Sequence, residues 1–327
     1  MKALKTMQKS LKWMLFLLVC VVIAAAVLGG LFVKQRLDDR AARQAEYERV
    51  AKEKADEITL TFAPGNTIFT ARRMLISRGF SEAEIDAAFS KDYEVMTKMG
   101  RPAALTGVDS SMVAGAKGIL NTGSVSIEGF LFPETINFFA MATVEQIVTR
   151  MATELDRAIQ REGLAQRFGD QQINNRPMTL YEGLVMASIV QKEAGGLKYE
   201  DKTAIAAVFY NRLRMGWPLG ADATTLYAAD MAGIPTHNED GSANWSILQL
   251  SSPWNTRGSS ARVGLPPTPI ASPGLEAIRA AANPDFAKHR YTLYFLTDDN
   301  DVVRYATNEA GHQENIRTYC QIRCQNW

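Results

Sequence analysis

The sequence predicts an α+β protein tethered by a single N-terminal transmembrane helix, and three observations carry that expectation. Residues 13–33 form a charge-free apolar run. Short segments, ITLTF at 58–62 and the pair YTLYFLT and VVRYAT toward the C-terminus, alternate with period two as half-buried strands do. Between them apolar residues recur at helical spacing, bounded by capping residues and glycines. Hydrophobic residues make up 46% of the 327, enough for a sizeable core and too many for a disordered chain. Lys plus Arg total 36 against 35 for Asp plus Glu, so no global field argues for nucleic acid or for an acidic partner.

The apolar run suits one bilayer crossing, at about 20 residues per span. Lys2, Lys5, Lys9 and Lys12 precede it without an acid, while Lys34 and Arg36 lead into a stretch of mixed sign. By the positive-inside tendency, residues 1–12 are a cytoplasmic basic tail and the bulk of the chain lies outside. A cleaved signal peptide is the rival reading; its apolar region normally runs only about 7 to 15 residues, but Ala24, Ala25 and Ala26 keep cleavage open. Residues 34–57, dense in charge and alanine, read as a solvated helical stalk. A strand at 58–62, a turn at Pro64 and Gly65, a helix over 68–78 closed by Gly79, and a second helix opened by a capping box of Ser81 and Glu84 make residues 58–98 a small α+β module. Residues 99–127 lose the helical period to Gly, Ser, Ala and Pro and read as a connector. EGFLFPETINFF at 128–139 reads as an edge strand interrupted by Pro133, and helical period returns over 143–161.

The stretch 178–196, MTLYEGLVMASIVQKEAGG, is the best punctuated helix of the chain. Thr179 and Glu182 form a capping-box pattern at its start, and Gly195 and Gly196 supply a left-handed stop at its end. Val185, Met186 and Ile189 precede Glu193 by eight, seven and four positions, so Glu193 extends an apolar face. Burial and the negative end of the helix dipole both favour the protonated form of such an acid, which is how a general acid for glycosidic cleavage is made at neutral pH. The other reading is an ordinary ion pair at the end of a solvated helix.

A second helix is expected over 202–215. Asp222, Thr224 and Tyr227 follow in a turn leading to a short helix, placed to hold a substrate beside Glu193, with capping as the alternative role for Asp222. Residues 252–274 carry five prolines and three glycines and read as a long functional loop. A β-hairpin flanks residues 298–301. The three histidines, His237, His289 and His312, share no metal-ligand spacing, so neither a metal nor another cofactor is expected, and His312 alone reads as a structural residue. Three cysteines are too few for a disulfide framework, although Cys320 and Cys324 would be able to pair in an oxidising compartment.

Taken together, ASIVQKEA at 187–194, VFYNRL at 208–213, the 222–227 segment, Asn255 with Thr256, GLPPTPIASPG at 264–274, YFLTD at 294–298 and EGFLFPET at 128–135 resemble, in order and spacing, the endolytic murein transglycosylases of the MltG or YceG-like family. The resemblance covers residues 13–318. It implies a single-pass enzyme of the bacterial inner (cytoplasmic) membrane, with residues 58–98 a LysM-like subdomain, residues 128–320 an extracytoplasmic or periplasmic catalytic domain and 321–327 a C-terminal tail. It implies that peptidoglycan glycan strands are cut internally between MurNAc and GlcNAc to leave 1,6-anhydroMurNAc ends, on nascent strands whose length is thereby limited. Peptidoglycan synthases are the partners such a family suggests. Glu193 would be the catalytic acid, and Asp222, Thr224, Tyr227, Asn255 and Thr256 substrate-binding residues. The chain departs from the family pattern at Ala194 for Thr, Ala223 for Pro, Arg257 for Tyr and Val303 for His, and in a longer stretch between Thr256 and Gly264. Two other functions fit the residues: a lysozyme-like muramidase using Asp222 as second carboxylate, and a non-catalytic peptidoglycan-binding scaffold.

Overall fold

The structure, a computed structural model, describes residues 13, 28–47, 49, 57–102, 127–139, 142–173 and 175–326. The chain divides into two compact units, residues 1–58 with 137–141 and residues 59–136 with 142–327. Within the first, residues 28–47 are helical and exposed. Most of the apolar run at 13–33 lies outside the described residues, and among the described residues no helix is long and apolar enough to cross a membrane.

The fold is mixed. Helices predominate, and the strands form three separate two-stranded sheets. Strand β1 (Glu57–Thr61) is followed by α1 (Ile68–Ser77), α2 (Glu82–Phe89) and α3 (Glu94–Lys98). Strand β2 (Thr135–Phe139) pairs with β1. Residues 128–139 are therefore not one extended strand: residues 128–130 turn, with Gly129 at φ +85°, before the chain extends at Thr135. Ser81 caps α2 through Glu84 N, but the Glu84 carboxylate does not complete a capping box. It accepts from Val144 N at 3.2 Å, tying the start of α2 to the start of the next helix.

That helix, α4 (Val144–Arg161), opens with a full capping box of Thr143 and Gln146 and buries Ile147, Val148, Met151 and Leu155 on one stripe. Helix α5 (Leu164–Gly169) and the short hairpin of β3 (Gln172–Ile173) and β4 (Arg176–Pro177) lead to α6 (Leu180–Ala194). The capping box of Thr179 and Glu182 forms as expected. The end of α6 differs from expectation: Gly195 is right-handed at φ −55°, and Gly196 is not among the glycines of positive φ. What excludes a side chain at Gly195 is proximity, since a Cβ there would lie 2.5 Å from the Gln191 carbonyl oxygen.

Leu184, Val185, Met186, Ala187, Ile189 and Val190 are at most 1% exposed, so α6 is buried nearly all round. Helices α7 (Tyr199–Arg214), α8 (Asp222–Ala232) and α9 (Leu275–Ala282) pack on it. Helix α7 begins three residues before the expected start at 202. The alanines at 277 and 280–282 give α9 a surface without long side chains, which lets it lie close against α6. Helix α10 (Phe286–His289), the antiparallel hairpin of β5 (Tyr294–Thr297) and β6 (Val303–Ala306), and α11 (Glu309–Tyr319) complete the unit. Cys320 and Cys324 form a disulfide with Cα atoms 5.3 Å apart.

Gly183 marks a close approach in this core, since a Cβ there would lie 2.5 Å from the fully buried Phe168 ring. An alanine in an exposed helix is worth about 1 kcal/mol over glycine. Gly183→Ala is expected to do the opposite, destabilising by about 1–3 kcal/mol through overpacking. Urea denaturation measures this, and a stabilised variant would mean that Phe168 has room to move.

Candidate active site

Three chain segments converge on the end of α6. The first is α6 itself, whose buried stripe delivers Glu193 to its last turn. The second is the start of α8: Ala223 N donates to Glu193 Oε1 at 3.0 Å. The third is the loop after Trp254, whose Arg257 pairs with Asp222, the first residue of α8.

The electrostatics of Glu193 follow from these neighbours. Burial is the largest influence and pushes its pKa up to about 7, Ala223 N–H opposes, Asp222 raises it further, and Arg257 and Arg212 lower it. The helix-dipole expectation is thus only half of the picture. Glu193 sits at the negative end of α6, but it also faces the positive end of α8, whose free N–H groups stabilise the carboxylate. Dehydration outweighs the opposing contributions. The resulting carboxyl is protonated in a large fraction of molecules at neutral pH, as a proton donor should be.

Of the other expected site residues, Asp222, Thr224 and Tyr227 lie not in a turn but on α8 itself. Asp222 does not cap that helix, because Ala221 occupies the cap position. Thr224 is fully buried and joins Ala221 O at 2.6 Å and Thr256 Oγ1 at 2.7 Å. Thr256, also fully buried, accepts from Ala221 N, and its carbonyl accepts from Gly220 N at 2.8 Å. Asn255 accepts from Thr225 Oγ1 and Arg257 N through Oδ1 and donates to the carbonyls of Leu248 and Leu250. Tyr227 is 3% exposed and donates to Glu128 at 3.1 Å. The structure therefore brings Thr224, Asn255 and Thr256 together as a buried polar clasp, which fixes the start of α8, and hence Ala223 N–H, against Glu193.

Two functional neighbours were missed from sequence. Glu128 is fully buried; its Oε2 accepts from Ile68 N at 3.0 Å and Tyr227 OH at 3.1 Å, and its Oε1 from Gly129 N at 3.3 Å. One carboxyl thereby joins the first turn of α1 to α8. The signal was an acid embedded in the apolar EGFLF segment, which the strand reading passed over. Arg212 was masked by the helical packing pattern of VFYNRL; its guanidinium donates to the carbonyls of Leu293 and Leu219. The strand–turn–helix module is not detached from this site. Gly65 N donates to Ser272 O and Ser272 N to Asn66 O, both at 2.8 Å, while Gly274 N donates to Gln191 Oε1 on the last turns of α6. Among the described residues no three His, Cys, Asp or Glu side chains are placed to hold a metal ion.

The model of the YceG-like family matches residues 21–318. The endolytic murein transglycosylase of Streptococcus pneumoniae serotype 2 (strain D39 / NCTC 7466) is 34% identical over 192 residues, covering 58% of this chain and 32% of that protein. That of Bacillus subtilis (strain 168) is 31% identical over 194 residues, covering 59% and 48%. The chain thus spans from a third to about half of the length of these curated relatives. A crystal structure of a YceG-like protein from Listeria monocytogenes superposes with a TM-score of 0.58 at 26% identity, covering 78% of this chain and 75% of that one.

Burial also pushes Glu128 up to about 7, against the hydrogen bonds from Ile68, Tyr227 and Gly129 and the charge of Lys192. A carboxyl whose folded pKa exceeds its unfolded value stabilises fully below the unfolded value, and that contribution is lost as pH rises toward the folded one. Between pH 4 and pH 8 the native chain should therefore lose about 3 kcal/mol relative to Glu128→Gln, which cannot ionise. Urea unfolding of both proteins at the two pH values reads this difference, and parallel pH profiles would show that Glu128 titrates in the fold as it does in the unfolded chain.

Proposed function

This chain belongs to the YceG-like family, and we propose that it is a peptidoglycan lytic transglycosylase cutting inside glycan strands between MurNAc and GlcNAc. The observation that carries the proposal is Glu193: a carboxyl pushed up to about 7 by burial, at the end of an apolar helix, held by the first turn of a second helix. In the reaction Glu193 gives its proton to the glycosidic oxygen as the C1–O bond breaks, releasing the GlcNAc portion as an alcohol. The resulting carboxylate takes the proton of the muramyl C6 hydroxyl as that oxygen closes on C1, forming the 1,6-anhydro ring and restoring the acid. One carboxyl suffices because the nucleophile is part of the substrate, whereas a hydrolase would need a second acid for water or for a covalent intermediate. The pairing of Asp222 with Arg257 favours the one-acid mechanism over a muramidase, since it commits the neighbouring carboxylate to an ion pair.

On this proposal the buried clasp of Thr224, Asn255 and Thr256, with Tyr227, positions the acid, and Asp222 with Arg257 borders the substrate. Residues 58–98 serve as the LysM-like subdomain, and residues 13–33 anchor the enzyme with its body outside the cytoplasmic membrane. The Cys320–Cys324 disulfide supports an oxidising compartment.

Two experiments test the proposal. Full chain incubated with uncrosslinked glycan strands should yield 1,6-anhydroMurNAc ends by mass spectrometry, with Glu193→Gln lowering turnover at least 1,000-fold while the fold survives, on the order of the loss of a whole acid–base catalyst. Reducing ends would instead point to hydrolysis through Asp222, and wild-type turnover by the variant would remove Glu193 from the chemistry. The pH profile of kcat/KM should fall on the alkaline side with an apparent pKa of about 7, as Glu193 loses its proton. Arg257→Ala deletes a cation that lowers this value and leaves the Asp222 charge uncompensated, so the alkaline limb should move to higher pH. An unmoved limb would mean that the ion pair does not reach Glu193.

A further inference from the structure

An aromatic surface that the acid–base chemistry does not use surrounds Tyr294, whose ring lies over Arg212. Alternation along β5 turns Phe295 inward onto Phe209, with ring centroids 5.8 Å apart, and Tyr294 the other way. Tyr294 meets Trp217 nearly edge-on at 6.2 Å and stacks on His312 at 5.1 Å with 26° between planes. Three rings from the loop after α7, the first residue of β5 and α11 thus share one patch. Trp217 remains 36% exposed there, and Met215, two residues before it, is 53% exposed.

Arg212 ties this patch to Glu193. Its guanidinium lies 5.6 Å from the Tyr294 ring centroid, and it is one of the charges that act on the Glu193 carboxyl. Ala223, whose N–H holds Glu193, follows Trp217 by only six positions, a span of at most about 20 Å. The chemistry of the patch narrows what it can receive. Arg212 spends Nε and Nη1 on backbone carbonyls, and its charge beneath Tyr294 is opposed by the Glu309 carboxylate, which acts on both Tyr294 and His312, so the patch carries no strong net charge of either sign. Burial lowers the pKa of His312, leaving the ring neutral at pH 7. What remains is a flat aromatic face whose polar edge includes the Tyr294 hydroxyl and the Glu309 carboxylate that acts on it. A pyranose ring complements it, since its C–H bonds form an apolar face while its hydroxyl and N-acetyl groups point outward.

We propose that Trp217, Tyr294 and His312 form a saccharide subsite that stacks one N-acetylhexosamine unit of the glycan strand next to the bond addressed by Glu193. The proposal rests on the transglycosylase reading for the identity of the strand. It is tested with the full chain, uncrosslinked glycan strands as the probe, and two readouts: affinity by isothermal titration, and kcat and KM from the release of new ends. Trp217→Ala and Tyr294→Ala should weaken binding and raise KM roughly five- to tenfold, the scale of one aromatic stacking contact, with kcat nearly unchanged. Trp217→Phe should recover most of the loss, and Met215→Ala should change neither quantity. Wild-type affinity and KM in both alanine variants, with folding verified by circular dichroism, would overturn the subsite while leaving the transglycosylase reading intact. Binding that depends on Trp217 without any cleavage by the native chain would support the subsite and sink that reading, and a native chain that neither binds nor cleaves would overturn both.

Discussion

The dehydration of one carboxyl group, Glu193, is the constraint on which the candidate site of this molecule depends. A carboxylate in water ionises near its ordinary value and is a poor donor at neutral pH. Moving it to the last turn of a helix whose preceding residues are almost wholly buried makes the charged form unfavourable. That placement needs apolar neighbours around the full circumference of α6. The alanine-rich α9 and the bare Gly183 against Phe168 let other helices approach closely enough to provide them. Core packing and acid strength are thus set by the same residues.

Glu128 extends the same logic to the rest of the unit. It is a second buried acid that accepts from donors of three different elements: Ile68 N from α1, Gly129 N from its own turn, and the Tyr227 hydroxyl from α8. Tyr227 stands one turn beyond Ala223 on α8, and Ala223 N–H touches Glu193. The orientation of α8 is therefore held at one end by the Thr224–Thr256 clasp and farther along by Glu128. The strand–turn–helix module, docked through Gly65, Asn66 and Ile68, is part of the support of the helix that carries Glu193 rather than an appendage.

How much of this was legible in the sequence depended on how local the cause was. The start of α6 was readable because both halves of the Thr179–Glu182 capping box lie within four residues, and Glu193 was readable because helical periodicity carries an apolar stripe to it. The hairpin of β5 and β6 was readable from period two. Where the partner is distant in sequence, local pattern fails. Glu84 matches a capping box yet bonds Val144, 60 residues away. Glu128 looked like an edge-strand residue because Ile68 and Tyr227 lie 60 and 99 residues from it. Thr224, Asn255 and Thr256 carried a resemblance that marked the site, but not the fact that Thr224 meets Thr256 and Asn255 meets Thr225 inside the protein.

The charges around Glu193 explain why desolvation decides its behaviour. Arg212 and Arg257 would drive the carboxyl toward permanent ionisation if either clamped it directly. In the structure Arg212 donates to the carbonyls of Leu293 and Leu219, Arg257 pairs with Asp222, and both lower the Glu193 carboxyl less than burial raises it. Asp222 acts in the opposite sense, raising Glu193 while compensating Arg257. Two cations, one anion and the Ala223 dipole pull in different directions, which leaves dehydration as the controlling influence. In the proposed mechanism Glu193 donates a proton and then accepts one within a single turnover, and this balance suits that role, because a tight ion pair would stop it from donating and complete burial without any dipole would stop it from accepting. Arg257 stands in the chain where the family resemblance leads one to expect tyrosine, and its pairing with Asp222 shows how a cation at that position is accommodated without fixing the acid in its charged form.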